Sequence, residues 1–313
     1  MGLLGGLPQP ASAQLYPTHP VRLVVPFPAG GPTDILARLV ARQMSAHLHE
    51  QFVIDNRPGA GANIGAEQVA RAMPDGYTLL MTTGAITVAP AMYPALGYDV
   101  TRDLRAISLV ATVPLILVVN PRVPADNVAA LIALARAQPG RLSFATTGSG
   151  TPIHLAAELF KSLTHLDLLH VPYKGSAPAL IDLTSGQVTM MFDASLSVSP
   201  YVRDGRLRGL AVTGAHRAAV FPELPTLREA AGLPDYEASV WYGLFAPAGT
   251  EAAIIDRLHG AVVETLATAD VGARLSDLGA EPVGSSPRDF AAFVAAEIPK
   301  WAAVVKASGA KLD

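Results

Sequence analysis

Cysteine is absent from this chain of 313 residues, which excludes disulfide bonds and metal sites built on thiolates. Charged residues make up only 16% of the sequence, and the formal net charge is −3. Such a balance, with no long basic run, offers no electrostatic footprint for nucleic acid or an anionic membrane. The longest apolar run, at 107–121, is broken by Pro114 and is shorter than the ~18 uninterrupted apolar residues of a membrane span.

The usual motifs of nucleotide, nucleophile and metal chemistry are also missing. The segment 28–34, PAGGPTD, is not G-x-G-x-x-G, and the segment 146–152, TTGSGTP, lacks the Lys-Ser/Thr pair of a P-loop. Ser149 is flanked by Thr two positions away on each side, which excludes G-x-S-x-G, and the histidines do not form H-E-x-x-H. We therefore predict no cofactor, no bound metal and no catalytic residue.

What the chain does contain is a regular alternation of apolar segments of strand length and amphipathic segments of helical period. This alternation predicts an α/β fold with mainly parallel sheets. The predicted strands are 21–26, 52–55, 78–82, 107–119, 142–145, 168–171, 188–192, 207–212 and 240–246, with a short piece at 281–283. The predicted helices are 34–46, 64–72, 128–137, 152–163, 177–185, one from Pro200 onward, 252–267, 271–278 and 287–307.

Two strands are placed to pass between domains, which a chain of this length should have. The strand at 107–119 is long enough to leave one sheet and enter another, and the strand at 239–246 is placed to return. This predicts one lobe from 14–112 plus 244–313 and a second lobe from 113–243. Two crossing strands would form a hinge, with the ligand between the lobes where strand ends meet.

Two glycine turns carry most of the functional information. The strand at 21–25 leads through Gly30 and Gly31 into a helix, and the strand at 142–145 leads through Gly148 and Gly150 into another. Each arrangement brings free backbone N–H groups to the positive end of a helix dipole, which is a means of binding an anion without fixed positive charge. The alternative at each turn is that glycine serves only the turn geometry.

Polar residues at the ends of other strands are candidates for the same cleft. Thr82 and Thr83 close the third strand, and the segment Tyr173-Lys174-Gly175-Ser176 lies between a strand and a helix. Their hydroxyls and amides would line or extend the anion site. Lys174 could equally be an ordinary solvated charge.

Two aspartates, a tryptophan and a histidine are also candidates. Asp34 lies in a first helical turn and Asp193 ends a strand, where a carboxylate would repel an anionic ligand, so we interpret both as caps or hinge supports unless the ligand carries an amine. Trp241 and its neighbour Tyr242 are interpreted as a pocket wall, with core packing as the alternative. His154 follows the second turn, and the helix dipole there favours a neutral imidazole.

The N-terminus suggests export. Residues 1–13 contain a Leu/Gly stretch, two prolines and Ala11-Ser12-Ala13 before Gln14, which matches the end of a secretory signal with an A-x-A cleavage site. The basic region that opens such signals is missing. We interpret 1–13 as the residual part of a signal whose start is truncated or misannotated, with the mature protein beginning near Gln14; a disordered tail is the alternative.

Five segments together resemble one known family. They are PFPAGGPTDILAR, VIDNRPGAGANIGAEQVARAMPDGYTLL, TTGSGTPIHLAAELF, HVPYKGSAPALIDLTSGQVTMMFD and YGLFAPAGT. In this order they resemble the extracytoplasmic solute receptors of the tripartite tricarboxylate transporter family, the Bug-type receptors, over nearly the whole chain from Tyr16. The resemblance implies a two-lobed type II periplasmic binding protein fold with a ligand cleft between the lobes.

The resemblance also implies a site and a function. Loops at the two glycine turns would grip the ligand through Phe27, Ala29, Gly30, Gly31 and Asp34 on one lobe and Thr147, Gly148, Ser149, Gly150, Thr151 and His154 on the other. The implied protein is a monomeric periplasmic receptor that captures a small carboxylate and delivers it to a membrane permease. A small-molecule α/β enzyme using Asp34, His154 or Asp193, and a sensory module for a membrane kinase, remain the alternatives.

Overall fold

The computed structural model describes residues 16–234 and 236–308. The proposed signal segment at 1–13 therefore lies outside the described residues. The strands are β1 (Val21–Val25), β2 (Phe52–Asn56), β3 (Thr78–Thr83), β4 (Leu104–Val119), β5 (Ser143–Thr146), β6 (Leu169–Pro172), β7 (Met190–Ala194), β8 (Arg208–Val212), β9 (Ser239–Pro247) and β10 (Glu281–Pro282).

Helices separate most of these strands, as the sequence pattern predicts. They are α1 (Pro32–Leu48), α2 (Asn63–Ala70), α3 (Ala85–Met92), α4 (Val100–Asp103), α5 (Val128–Ala137), α6 (Pro152–Thr164), α7 (Ser176–Ser185), α8 (Ser195–Arg203), α9 (Leu227–Ala231), α10 (Ala252–Ala267), α11 (Ala269–Asp277) and α12 (Pro287–Ser308). None of the helices in the described part of the chain is both long and apolar enough to cross a bilayer.

The strand β4 belongs to two sheets. Its first part, from Leu104 to Pro114, pairs with β9, and its last part, from Leu115 to Val119, pairs with β7. The sheet order is β2-β1-β3-β9-β4-β7-β5-β6, and β8 and β10 also pair with β4. We call the elements on the β9 side lobe 1 (β1–β3, β9, β10, α1–α4 and α10–α12) and those on the β7 side lobe 2 (β5–β8 and α5–α9). The residue boundaries 14–112 plus 244–313 and 113–243 stay a prediction.

The expectation of mainly parallel sheets is wrong at the centre of the molecule. The outer pairs β1–β2, β1–β3, β5–β6 and β5–β7 are parallel, whereas every pairing that involves β4 or β9 is antiparallel in the described residues. Both crossing strands, β4 and β9, are antiparallel to their neighbours. They therefore do not form the unit of two parallel strands joined by a helical crossover.

Several element boundaries also differ from the predicted ones. The helix α8 begins at Ser195 rather than at Pro200, because Asp193 accepts hydrogen bonds from the Ala194 amide and the Ser197 hydroxyl and so organises the turn that opens the helix. The helix α3 was not predicted. Nearly all of its residues are buried, so its sequence lacks the polar face that makes a helix recognisable.

Close approach of α12 to the sheet requires a glycine in β9. A Cβ placed on Gly243 would overlap the ring of Phe290, a fully buried side chain of α12. Phe290 packs against Trp241 and Phe245, with ring centroids 5.6 and 4.8 Å away. The C-terminal helix therefore seals lobe 1 only if β9 carries no side chain at this position.

We expect Gly243→Ala to lower the free energy of unfolding by about 1–3 kcal/mol through overpacking, as measured by denaturant titration. Gly260→Ala is the matched control, because a Cβ there meets no atom within 4 Å and the position is inside α10. The control should be neutral or stabilise the protein by up to about 1 kcal/mol. Equal stability of the Gly243→Ala variant and the parent would contradict the packing argument.

Candidate ligand-binding site

A chamber lies between the lobes, at the ends of the strands. It is lined by Phe27, Pro28, Gly31, Pro32, Thr33, Thr83, Val240 and Tyr242 from lobe 1 and its crossing strand, and by Thr147, Thr151, Pro152, Ile153, Gly175 and Ser176 from lobe 2. Among the described residues, none that lines the chamber carries a charge. The polar groups available to a ligand are hydroxyls and backbone amides.

Three helices begin in the chamber wall. The first residues of α1, α6 and α7 all belong to the lining. The N-caps of α1 and α7 are Gly31 and Gly175, which have no side chain that could satisfy the first amides. Partial positive charge and free N–H donors from both lobes are thus directed at one space, which favours an anion.

The first glycine turn is held from behind by Asp34. Its carboxylate is buried and accepts hydrogen bonds from the Gly30 amide (2.9 Å), the Arg38 guanidinium (2.8 Å) and the Asn56 side chain (3.0 Å). Burial by itself would raise the pKa of Asp34, but these hydrogen bonds outweigh it and hold the pKa below its usual value. Asp34 is an ionised support of the turn and does not line the chamber.

The second glycine turn is held by hydroxyls and a histidine. Thr151 donates to the carbonyl oxygen of Gly148 (2.9 Å) and accepts from Thr147 (3.1 Å). The Gly150 amide donates to Nδ1 of His154 (3.0 Å), so this nitrogen is an acceptor and the ring is neutral there. Gly148 and Gly150 have φ angles of 126° and 77°, in the region that favours glycine.

A buried carboxyl lies behind the lobe 2 wall. Asp193 is fully buried and accepts hydrogen bonds from the hydroxyls of Ser176 (2.9 Å) and Ser197 (2.9 Å) and from the Ala194 amide (2.8 Å). Burial raises the pKa of Asp193 to about 6, although these hydrogen bonds oppose the change. Asp193 therefore orients Ser176, which lines the chamber, without lining it itself.

An outer groove continues from the chamber toward the surface. It shares Phe27 and Thr147 with the chamber. The groove is lined by Gly148, Ser149, Tyr173 and Lys174 on lobe 2 and, across from them, by residues 58–62 and Tyr93. A ligand could pass between Phe27 and Thr147 on its way to the chamber.

The lobes touch around the chamber, so the structure is closed. A Cβ placed on Gly175 would lie 2.8 Å from Cδ of Pro28, and one placed on Gly61 would lie 3.2 Å from the carbonyl oxygen of Ser149. On the opposite side, the Ser195 hydroxyl donates to the carbonyl oxygen of Leu278 (2.7 Å). A ligand held in the chamber would be enclosed by both lobes.

Comparisons with known proteins agree with this geometry. The chain matches the tripartite tricarboxylate transporter family receptor, TctC, over residues 36–310. It is 40% identical to BugT of Bordetella pertussis over 309 residues, which cover 98% of this chain and 94% of that protein. The chain belongs to this receptor family.

Solved structures of the same family share the fold. The periplasmic binding protein BugD is 35% identical and superposes with a TM-score of 0.91, covering 95% of this chain and 100% of that one. The R. palustris protein Rpa4515, solved with adipate, is 41% identical with a TM-score of 0.92 and the same coverage. The predicted two-lobed binding-protein fold with a cleft between the lobes is confirmed.

Within this receptor, the sequence-predicted site residues fall into four groups. Six line the chamber: Phe27, Gly31, Thr83, Thr147, Thr151 and Gly175. Four line the outer groove: Gly148, Ser149, Tyr173 and Lys174. Six belong to the turns or support them from behind: Ala29, Gly30, Asp34, Gly150, His154 and Asp193. Two, Thr82 and Trp241, lie on the other face of the sheet, away from the chamber.

Ser176 and Tyr242 line the chamber, as the sequence suggested, whereas sequence reasoning missed six lining residues: Pro28, Pro32, Thr33, Pro152, Ile153 and Val240. Most of them adjoin residues that were predicted. The β9 prediction did not separate the two faces of the strand. Side chains alternate along a strand, so Val240 and Tyr242 share the chamber side while Trp241 packs against Phe290 and Phe293 on the other. Strict alternation, anchored by the packing of one residue, would have separated Tyr242 from Trp241.

Asp34→Asn should lower the free energy of unfolding by about 1–3 kcal/mol at pH 7, because it weakens hydrogen bonds to a buried charge. The folded pKa of Asp34 lies below the unfolded value of ~3.9. The difference between parent and variant should therefore be present above pH ~4 and shrink as the pH falls through the folded pKa.

Denaturant titrations at pH 7, 5 and 3 measure this difference. Asp256→Asn, an exposed position in α10, is the control and should stay within about 0.5 kcal/mol of the parent at each pH. A stability difference for Asp34→Asn that grows as the pH falls would contradict the assigned role.

Proposed function

We propose that this chain is a periplasmic receptor that encloses a small carboxylate in the chamber and presents it, chemically unchanged, to a membrane permease. The observation that carries the proposal is the meeting of three helix N-termini in one chamber without a charged lining residue among those described. This environment favours a negative group and accommodates an apolar body against Phe27, Val240 and Ile153.

Carboxylate is the anion that the relatives support. Rpa4515, at 41% identity, was solved with adipate. The two aspartates near the chamber support the same choice, because both have their oxygens engaged by protein donors and neither lines the chamber to pair with a ligand amine.

A receptor role without catalysis fits the supporting residues. The three acid or base candidates each accept a hydrogen bond from one of the glycine turns or from Ser176. Asp34 accepts from the Gly30 amide, His154 from the Gly150 amide and Asp193 from the Ser176 hydroxyl. A catalytic acid or base must instead lie within hydrogen-bond reach of the reacting group. Membership of the receptor family supports the periplasmic location and the permease partner of this proposal.

Calorimetry with the purified chain tests the proposal. Adipate, succinate and benzoate, together with the neutral diamide of adipate, form a suitable panel. We expect one carboxylate to bind at a one-to-one ratio, the diamide to bind at least about 10-fold more weakly than its acid, and mass spectrometry to recover the ligand unaltered. Binding of no carboxylate across a wider panel of small acids, or conversion of the bound acid to a product, would contradict the receptor function.

Closure of the lobes offers a second test. Gly175→Ala would place a Cβ against Pro28 across the cleft, at a position where φ is 138°. We expect this variant to bind the best carboxylate of the panel at least about 10-fold more weakly, because the closed arrangement is blocked.

Gly186→Ala is the matched control for this test. It ends the same helix at a φ of 87°, and its nearest contact is Asn120 at 3.7 Å, far from the chamber. Both variants carry the strain of a side chain at positive φ, so both should lose stability, but only Gly175→Ala should lose affinity. Equal affinities of the two variants would show that closure at Pro28 is not required for binding.

A further inference from the structure

Tyr242 has an unusual position for a buried tyrosine. It lies in β9, opposite Thr83 of β3 and Ala111 of β4, and its side chain lines the chamber. The residue is 0% exposed, and no hydrogen bond joins its phenol to any residue that the structure describes. A buried tyrosine hydroxyl normally has a partner, because leaving it unpaired costs free energy.

A second tyrosine in the same core shows the normal arrangement. Tyr236 is also 0% exposed, and its hydroxyl donates to the carbonyl oxygen of Ala156 at 2.9 Å. The two side chains are equally buried and differ in whether a protein acceptor meets the hydroxyl. The phenol of Tyr242 meets the chamber instead.

The lobe 2 hydroxyls of the chamber already donate to the protein. Ser176 donates to Asp193, Thr151 donates to the carbonyl oxygen of Gly148, and Thr147 donates to Thr151. Their hydrogens point away from a ligand on the lobe 2 side. Tyr242 retains its hydrogen for whatever occupies the chamber.

The phenol also remains protonated. Burial, and in addition the nearby charge of Asp193, raises the pKa of Tyr242 well above its usual value. At any pH at which the protein is folded and functional, the hydroxyl is therefore a donor. A donor in an enclosed chamber that also receives helix N-termini is suited to a carboxylate oxygen.

We propose that Tyr242 is a ligand-binding residue whose hydroxyl donates a hydrogen bond to a carboxylate oxygen of the enclosed ligand. The assignment rests on the proposed receptor function and adds the crossing strand β9 to the two glycine turns as a third source of recognition. It also makes the chamber selective, because a ligand with a methyl or ammonium group at this point leaves the phenol unpaired.

The test compares Tyr242→Phe with Tyr236→Phe. Tyr242→Phe removes no hydrogen bond within the protein, so the ligand-free unfolding midpoint should be unchanged or higher, while affinity for the best carboxylate of the panel should fall about 10-fold or more. Tyr236→Phe removes the bond to Ala156, so its unfolding midpoint should fall while its affinity stays within about twofold of the parent. Calorimetry and denaturant titration of the two variants give both values.

A direct readout is the carbon resonance of the phenolic Cζ in protein labelled at tyrosine. On addition of ligand, the Tyr242 signal should shift and the Tyr236 signal should stay. Normal binding by the parent with equal affinity in Tyr242→Phe, or no ligand-dependent shift of the Tyr242 signal, would overturn the assignment of Tyr242 alone. Failure of the parent to bind any carboxylate would instead contradict the receptor function from which the assignment starts.

Discussion

The pairing of β4 with partners in both lobes is the constraint on which the site depends. One uninterrupted strand of 16 residues bonds to β9 along its first part and to β7 and β8 along its last part. Because backbone hydrogen bonds fix the direction of each sheet, the ends of β1 and β5 face one another across a gap. The helices that follow these strands then begin at the same gap.

Recognition of an anion here requires no cation inside the chamber. Partial charges at the starts of α1, α6 and α7 act together in a space with apolar walls, where the effective dielectric is low and such charges count for more. The charged residues nearby lie one layer behind. Asp34 holds the first glycine turn and Asp193 holds Ser176, so both carboxylates support the chamber wall from behind and do not line it.

The two faces of β9 contact different parts of the protein, because side chains alternate along a strand and Gly243 has none. On one face, the absence of a side chain at Gly243 admits Phe290 of α12, and Trp241 completes an aromatic cluster that stabilises lobe 1. On the other face, Val240 and Tyr242 form part of the chamber. Alternate residues of β9 thus have different roles: Trp241 packs in the core of lobe 1, whereas Val240 and Tyr242 line the chamber.

The sequence by itself determined the class of fold, most of the strands and helices, and the two glycine turns, because hydrophobic period and turn chemistry are local properties. The chain length and the two crossing strands predicted two lobes, and the family resemblance implied the same arrangement. Only the tertiary structure decided which side chains meet, since contacts such as Ser176 with Asp193 join residues far apart in the chain. It also decided that Tyr242 and not Trp241 lines the chamber, because the face of a strand depends on what packs against it.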